Sequence, residues 1–196
     1  MPRSSDARDR AVAATARLLQ EQGYAGTGVA QILQVSGAPK GSFYFYFPGG
    51  KEQLAAEALR GAGRQVAAVL RRLTETARSP ADLIDRFVTI EANLLADSEF
   101  RQGCPIATVA LEMSSESEVI RQACKEIFAS WVDILAESFQ PAMGAEAPDM
   151  AEHVIMTLEG ALLLSRVNRD TAPLSRVRAR LREELDRAGA NGADDA

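Results

Sequence analysis

Cysteine, histidine and tryptophan are almost missing from this 196-residue chain, which has two Cys, one His and one Trp. Cys104 and Cys124 form no CxxC pair and have no histidine near them in sequence, so neither a zinc site nor a disulfide framework is expected. In a reducing compartment they read as two small buried side chains. His153 stands alone, with no nucleophile implied beside it. No nucleophile–base pair, metal set or phosphate loop is evident, so catalytic residues, metals and cofactors are all expected to be none. Long apolar runs are also lacking, which excludes a helix that spans a bilayer. The opening MPRSSDARDR has no apolar core of the secretory kind, so a cytoplasmic location is expected, with no membrane partner. Strand-like alternation and fixed-period repeats are absent too, and the remaining periodicity is helical.

What is present is an ordinary soluble composition, 46% apolar and 25% charged. The net charge of −5 is unevenly spread. Residues 1–60 hold seven Lys or Arg against five Asp or Glu, a local +2 that leaves −7 for the remainder. A basic head on an acidic body suits local contact with a polyanion.

The stretch from Thr27 to Leu54, TGVAQILQVSGAPKGSFYFYFPGGKEQL, carries most of the information. Thr27 is a good N-cap, and Val29, Ile32 and Leu33 then give one apolar helical face. Gly37 suits the left-handed end of a helix, and Pro39 suits the first turn of the next. That second, short helix carries Lys40, Gly41 and Ser42 and then five aromatics before Pro48-Gly49-Gly50. A helix made only for packing would not lead with Lys-Gly-Ser. One laid in a major groove could use all three, with Lys40 and Ser42 reaching phosphates or base edges and Gly41 allowing close backbone approach. Tyr44 and Tyr46 offer phenol hydroxyls to the same groups, while Phe43 and Phe47 plug the core beneath. Thr27 and Lys51 are expected to clamp phosphates, Lys51 together with the free N–H groups of a helix end. Each feature alone fits an aromatic-rich hairpin of an ordinary core, but in this order they read as a DNA-binding helix-turn-helix.

The segment from about Arg10 to Leu59 resembles the N-terminal domain of the TetR/AcrR family of bacterial transcriptional repressors. The matching words are ATARLLQEQGYAGTGVAQIL, SGAPKGSFYFYF and KEQL. The GAPKGS and FPGGKEQLA wording, with Gly103-Cys104-Pro105 further on, is similar to the LmrA/YxaF-like branch. The resemblance implies an effector pocket near the sixth helix, and release of DNA when the fourth helix swings and the two heads of a dimer change their separation.

The whole chain reads as all-α, with about nine helices. A three-helix helix-turn-helix DNA-binding domain covers 1–50, an effector-binding and dimerisation bundle covers 51–188, and a disordered tail covers 189–196. Gly61-Ala62-Gly63 in the fourth helix is either a hinge or a site of close packing. Ser79-Pro80-Ala81-Asp82 is a clear helix start, and Pro141 to Ala147 reads as a linker. Phe87, Glu91, Cys104, Ile106, Val109, Met113, Phe128, Trp131, Met156 and Glu159 could line a cavity for a small lipophilic or aromatic effector. Most of these positions would serve equally as plain core. Glu91 and Glu159 are more telling, since a carboxylate on an apolar face is costly unless paired. Ile155, Leu158 and Leu162, with Val177, Leu181 and Leu185 on the last helix, are expected to form the surface of a homodimer. Two heads about 34–36 Å apart would read a palindromic operator in double-stranded DNA. The leading expectation is a ligand-released repressor. An activator or effector-independent regulator of the same fold is the alternative. A helical protein-binding adaptor leaves Lys40-Gly41-Ser42 and the tyrosines unexplained.

Overall fold

A computed structural model describes residues 4–194, with side chains from 6 to 190. The elements are α1 (Ser4–Gln22), α2 (Val29–Ser36), a 3-10 turn (Lys40–Ser42), α3 (Phe43–Tyr46), α4 (Gly50–Thr76), α5 (Pro80–Asp97), α6 (Pro105–Met113), α7 (Glu118–Met143), a second 3-10 turn (Gly144–Glu146), α8 (Ala147–Asn168) and α9 (Ala172–Asp194). The described residues contain no strand, and none of their helices is long and apolar enough to cross a membrane.

Local chemistry explains several boundaries. Gly37 ends α2 in the left-handed region at φ 63°. Ser79 caps α5 by accepting from the Asp82 N–H, with Pro80 next to it at the helix start. Cys104 caps α6 through its sulfur, which accepts from the Ala107 N–H at 3.4 Å. Asp170 accepts the Ala172 N–H at 3.0 Å and so starts α9.

Three expected boundaries are corrected. Thr27 does not cap α2: Gly28 takes the extended N-cap conformation, and Thr27 instead donates to the Gly23 carbonyl at 2.7 Å. Pro141 lies inside α7, which runs to Met143 and leads through a 3-10 turn directly into α8, so there is no linker. Proline removes only one N–H, which is tolerated this close to a helix end. Finally, α9 continues to Asp194 where a disordered tail was expected from 189; residues 195–196 of that tail lie outside the described residues.

The chain divides into two compact units. The first is formed by the described residues of Met1–Gln65 together with Cys104–Ile127, the second by Val66–Gly103 with the described residues of Phe128–Ala196. The helix-turn-helix head thus includes α6 and the start of α7 in its unit, beyond the expected limit of residue 50. Its core gathers Ala11, Leu18, Ile32, Phe43, Phe47 and Leu54, with Val12, Val29, Leu33, Ala38 and Tyr46 packed around them. Gly63 of α4 is buried where α7 passes, and a Cβ there would meet the Ile127 side chain at 2.6 Å. Close packing therefore explains Gly63. At Gly61 a Cβ would reach nothing nearer than the Arg64 guanidinium at 4.0 Å.

In the second unit α5, α8 and α9 pack against one another. Leu83, Ile84, Phe87, Val88 and Leu95 of α5 are buried, as are Leu174, Leu181 and Leu185 of α9. Arg178 of α9 donates to the Thr89 hydroxyl at 3.1 Å and pairs with Asp85 at 3.5 Å. Leu181 and Leu185, each 1% exposed, are thus core of their own unit and not available to a second chain.

Candidate nucleic-acid interface

The recognition segment is built from alternating aromatics. Phe43 and Phe47 lie one helical turn apart and point into the core, 3% and 1% exposed, as the i, i+4 spacing demands. Their rings are 5.6 Å apart. The same turn of helix must then send Tyr44 and Phe45 outward, and they are 70% and 82% exposed. Tyr46 lies half-buried against the core. Lys40 and Gly41 are exposed on the preceding turn, with Ser42 half-buried after them. A Cβ at Gly41 would meet nothing within 4 Å, so the backbone there is open to close approach. Lys40, Gly41, Ser42, Tyr44 and Tyr46 are therefore brought together on the 3-10 turn and the α3 that follows it. Phe45 was missed by sequence reasoning, although the inward spacing of Phe43 and Phe47 already implied that it faces out.

One expected phosphate contact is corrected, and a second residue has a partner within the head. Thr27 is fully buried and its hydroxyl is spent on the Gly23 carbonyl, so it has no surface to offer a phosphate. Lys51 is half-buried: its ammonium donates to the Tyr24 carbonyl at 2.7 Å and stands 3.8 Å over the Tyr24 ring. Burial holds the Lys51 pKa below the ordinary lysine value, offset by the carboxylate of Glu112. Burial first and Glu52 second raise the pKa of Tyr24.

Around this turn the first unit is tied by polar contacts that the sequence did not reveal. Glu112 of α6 accepts from the backbone N–H of Tyr24 and of Ala25 at 2.5 and 3.0 Å. Gly23 precedes them at φ +71°, and a Cβ there would run into the Glu112 carboxylate. Ser117 donates to Glu52 at 2.6 Å, and Arg60 pairs with Glu126 at 3.0 Å. Arg8 pairs with Glu57, its guanidinium 5.5 Å over the Phe47 ring.

The expected effector-lining residues fall in both units. In the first, Ile106 and Val109 of α6 are fully buried, while Cys104 and Met113 are half-buried. In the second, Phe87 and Trp131 are buried, and Phe128 meets Trp131 edge-on at 5.5 Å. Glu91 is half-buried on α5, and its pKa is pushed up to about 7 by burial and then by the neighbouring Glu159 carboxylate. Met156 is 62% exposed and so encloses nothing within the chain. Cys124 is buried, and burial pushes its thiol up to about 11, which leaves it a poor nucleophile.

Of the expected dimer residues, Ile155 and Leu158 are buried within the chain, and Leu162 and Val177 are half-buried. The open apolar face of α8 is a different stripe: Met156, Leu163, Leu164 and Val167 are 55–71% exposed, with exposed Gly160 between them. The stripe follows the spacing of one helix face.

Comparison with known proteins accords with these features. Residues 11–58 match the family model of bacterial regulatory proteins of the tetR family. Residues 80–180 match that of the LmrA/YxaF-like transcriptional regulator C-terminal domain. The HTH-type transcriptional regulator LmrA of Bacillus subtilis is 35% identical over 184 residues, 93% of this chain and 98% of LmrA. The HTH-type transcriptional repressor DhaR of Mycobacterium sp. strain GP1 is 30% identical over 165 residues, 79% of each chain. The fold is shared with the regulatory protein TetR from Rhodobacter sphaeroides (TM-score 0.82, 24% identity, 90% of this chain and 97% of that one). Reduced Escherichia coli NemR shares it too (TM-score 0.81, 23% identity, 90% and 95%). The chain belongs to the TetR family of DNA-binding transcriptional regulators, which are not enzymes, and within it to the LmrA/YxaF-like branch.

Proposed function

We propose that this regulator is a cytoplasmic, ligand-released repressor that binds a palindromic operator as a homodimer. The observation that carries the reading is the outward face of the recognition segment. Lys40, Gly41, Tyr44 and Phe45 are exposed above a core in which Phe43 and Phe47 are buried. Lys40 and the Tyr44 hydroxyl are suited to phosphates and base edges, and Ser42 and Tyr46 flank them. Thr27, buried and engaged inside the head, supports the turn instead of touching DNA, while Lys51 holds the Tyr24 carbonyl and keeps donors for a phosphate.

One such short element reads few bases, so two copies are needed for a selective site. The stripe of Met156, Gly160, Leu163, Leu164 and Val167 on α8 fits a second copy of the chain, because it is apolar, contiguous and open. The effector is a small lipophilic or aromatic molecule. It must bind the DNA-incompetent state more tightly, since equal affinity for both states shifts nothing. DhaR, which this chain resembles over most of its length, is itself named a repressor.

The test is selection of duplexes from a random pool by the purified protein, with the mass of the bound complex measured by ultracentrifugation. The proposal expects a motif with dyad symmetry, an even number of chains per site and release by a lipophilic compound. An asymmetric motif bound by one chain would contradict it.

A further inference from the structure

Phe45 is the one feature of the recognition segment that phosphate binding leaves unexplained. Its ring is 82% exposed on α3, beside Tyr44 at 70% and next to exposed Lys40 and Gly41. Hydrocarbon at such exposure on a surface directed at a polyanion gains nothing from the charges it faces. The ring is carried by α3, not by a loop. It stands edge-on to Tyr46, with centroids 5.5 Å apart and planes at 73°. Tyr46 in turn meets Phe47 at 6.4 Å, and Phe47 is buried in the head's core. Two aromatic contacts thus lead from the exposed ring to the buried core.

Base edges in the major groove present donors, acceptors and one alkyl group, the C5-methyl of thymine. We infer that Phe45 is a specificity-determining residue that packs on a thymine methyl in each half of the operator and so rejects cytosine or uracil at that position. The inference rests on the reading that α3 enters the major groove. It adds a wholly apolar face to the polar tips of Lys40, Ser42 and Tyr44, which are drawn to phosphates and to the donors and acceptors of base edges.

The experiment uses a duplex selected by the full-length protein, with each thymine replaced in turn by uracil. The replacement removes the methyl and leaves every hydrogen-bonding group in place. Dissociation constants are measured for the wild type, Phe45→Ala and Phe45→Met at one salt concentration. The expected result is one sensitive thymine per half-site, where uracil weakens wild-type binding about fourfold, as losing one buried methyl implies. Phe45→Ala should bind the thymine duplex several-fold more weakly and no longer distinguish it from the uracil one, while Phe45→Met retains part of the discrimination. Thermal melts of the variants should match the wild type, because the ring is outside the core. Wild-type binding that is indifferent to uracil at every position overturns the inference, as does a uracil effect that persists undiminished in Phe45→Ala. In either case selective binding itself still stands and the repressor reading is untouched. Failure to select any duplex overturns that reading and this inference together.

Discussion

Glu112, far along the chain on α6, holds the backbone of Tyr24 in the turn between α1 and α2: its carboxylate receives the Tyr24 N–H at 2.5 Å. The carbonyl of the same residue is taken by Lys51 at 2.7 Å. Both polar groups of one turn residue are therefore held by side chains from two other helices. Replacing Glu112 by Ala leaves two backbone donors to water. Because Glu112 is exposed, solvent screening brings the loss below that of a buried charged hydrogen bond, to about 1 kcal/mol. Calorimetry should show a melting temperature lower by about 2–4 °C, and DNA affinity should fall because the support of α2 loosens. An unchanged melt and affinity would show that water replaces the carboxylate without loss.

Gly61 and Gly63 should respond in opposite directions to alanine. At Gly61 the added methyl meets open space, so Gly61→Ala should stabilise by about 0.5–1 kcal/mol through helix propensity. At Gly63 it collides with Ile127, and overpacking of about 1–3 kcal/mol outweighs the same propensity gain. Urea unfolding of the two variants measures both signs. Equal stabilisation by both would contradict the packing seen at Gly63.

Glu91 makes the chain less stable as pH rises. Its folded pKa of about 7 lies above the ordinary 4.5, so the folded state holds this proton more tightly than the unfolded state. Stability is then lost between about pH 4.5 and 7 and stays low above that range. Glu91→Gln should remove this slope and raise stability at pH 8 by up to about 3 kcal/mol. Urea unfolding at pH 5 and pH 8 provides the comparison. A variant with the same pH dependence as the wild type would show that Glu91 ionises normally.

Leu163 lies at the middle of the open stripe on α8. If α8 forms the proposed contact between two chains, Leu163→Glu places a charge in it. Sedimentation should show the dimer dissociating at a concentration at least about thirtyfold higher, as expected for a central anchor residue. An unaltered dimer would move the contact to another face.

The parts of the fold legible in the sequence were those fixed by local rules. The Gly37 stop, the Ser79 cap and the inward pair Phe43 and Phe47 each follow from spacing or turn chemistry. Thr27 was misread because capping preference says nothing of a competing acceptor, and the Gly23 carbonyl wins its hydroxyl. The Tyr24 carbonyl beneath Lys51 was hidden for the same kind of reason, since it lies on another element. Leu181 and Leu185 show the limit of periodicity: a stripe reveals that a face is buried, not which neighbour buries it, and here α5 and α8 of the same chain do so. Met156, assigned to a cavity on hydrophobicity alone, belongs to the open stripe.

The most direct test of a DNA-reading head is fluorescence anisotropy of the purified protein with its selected duplex and with a scrambled one, at two salt concentrations. The wild type should prefer the selected duplex and weaken with salt, as phosphate contacts require. Lys40→Ala and Tyr44→Phe should both weaken selective binding, Lys40→Ala by about tenfold or more. Equal affinity for both duplexes at low salt, or variants that bind as well as the wild type, would contradict the assignment of Lys40 and Tyr44 to the DNA-reading face.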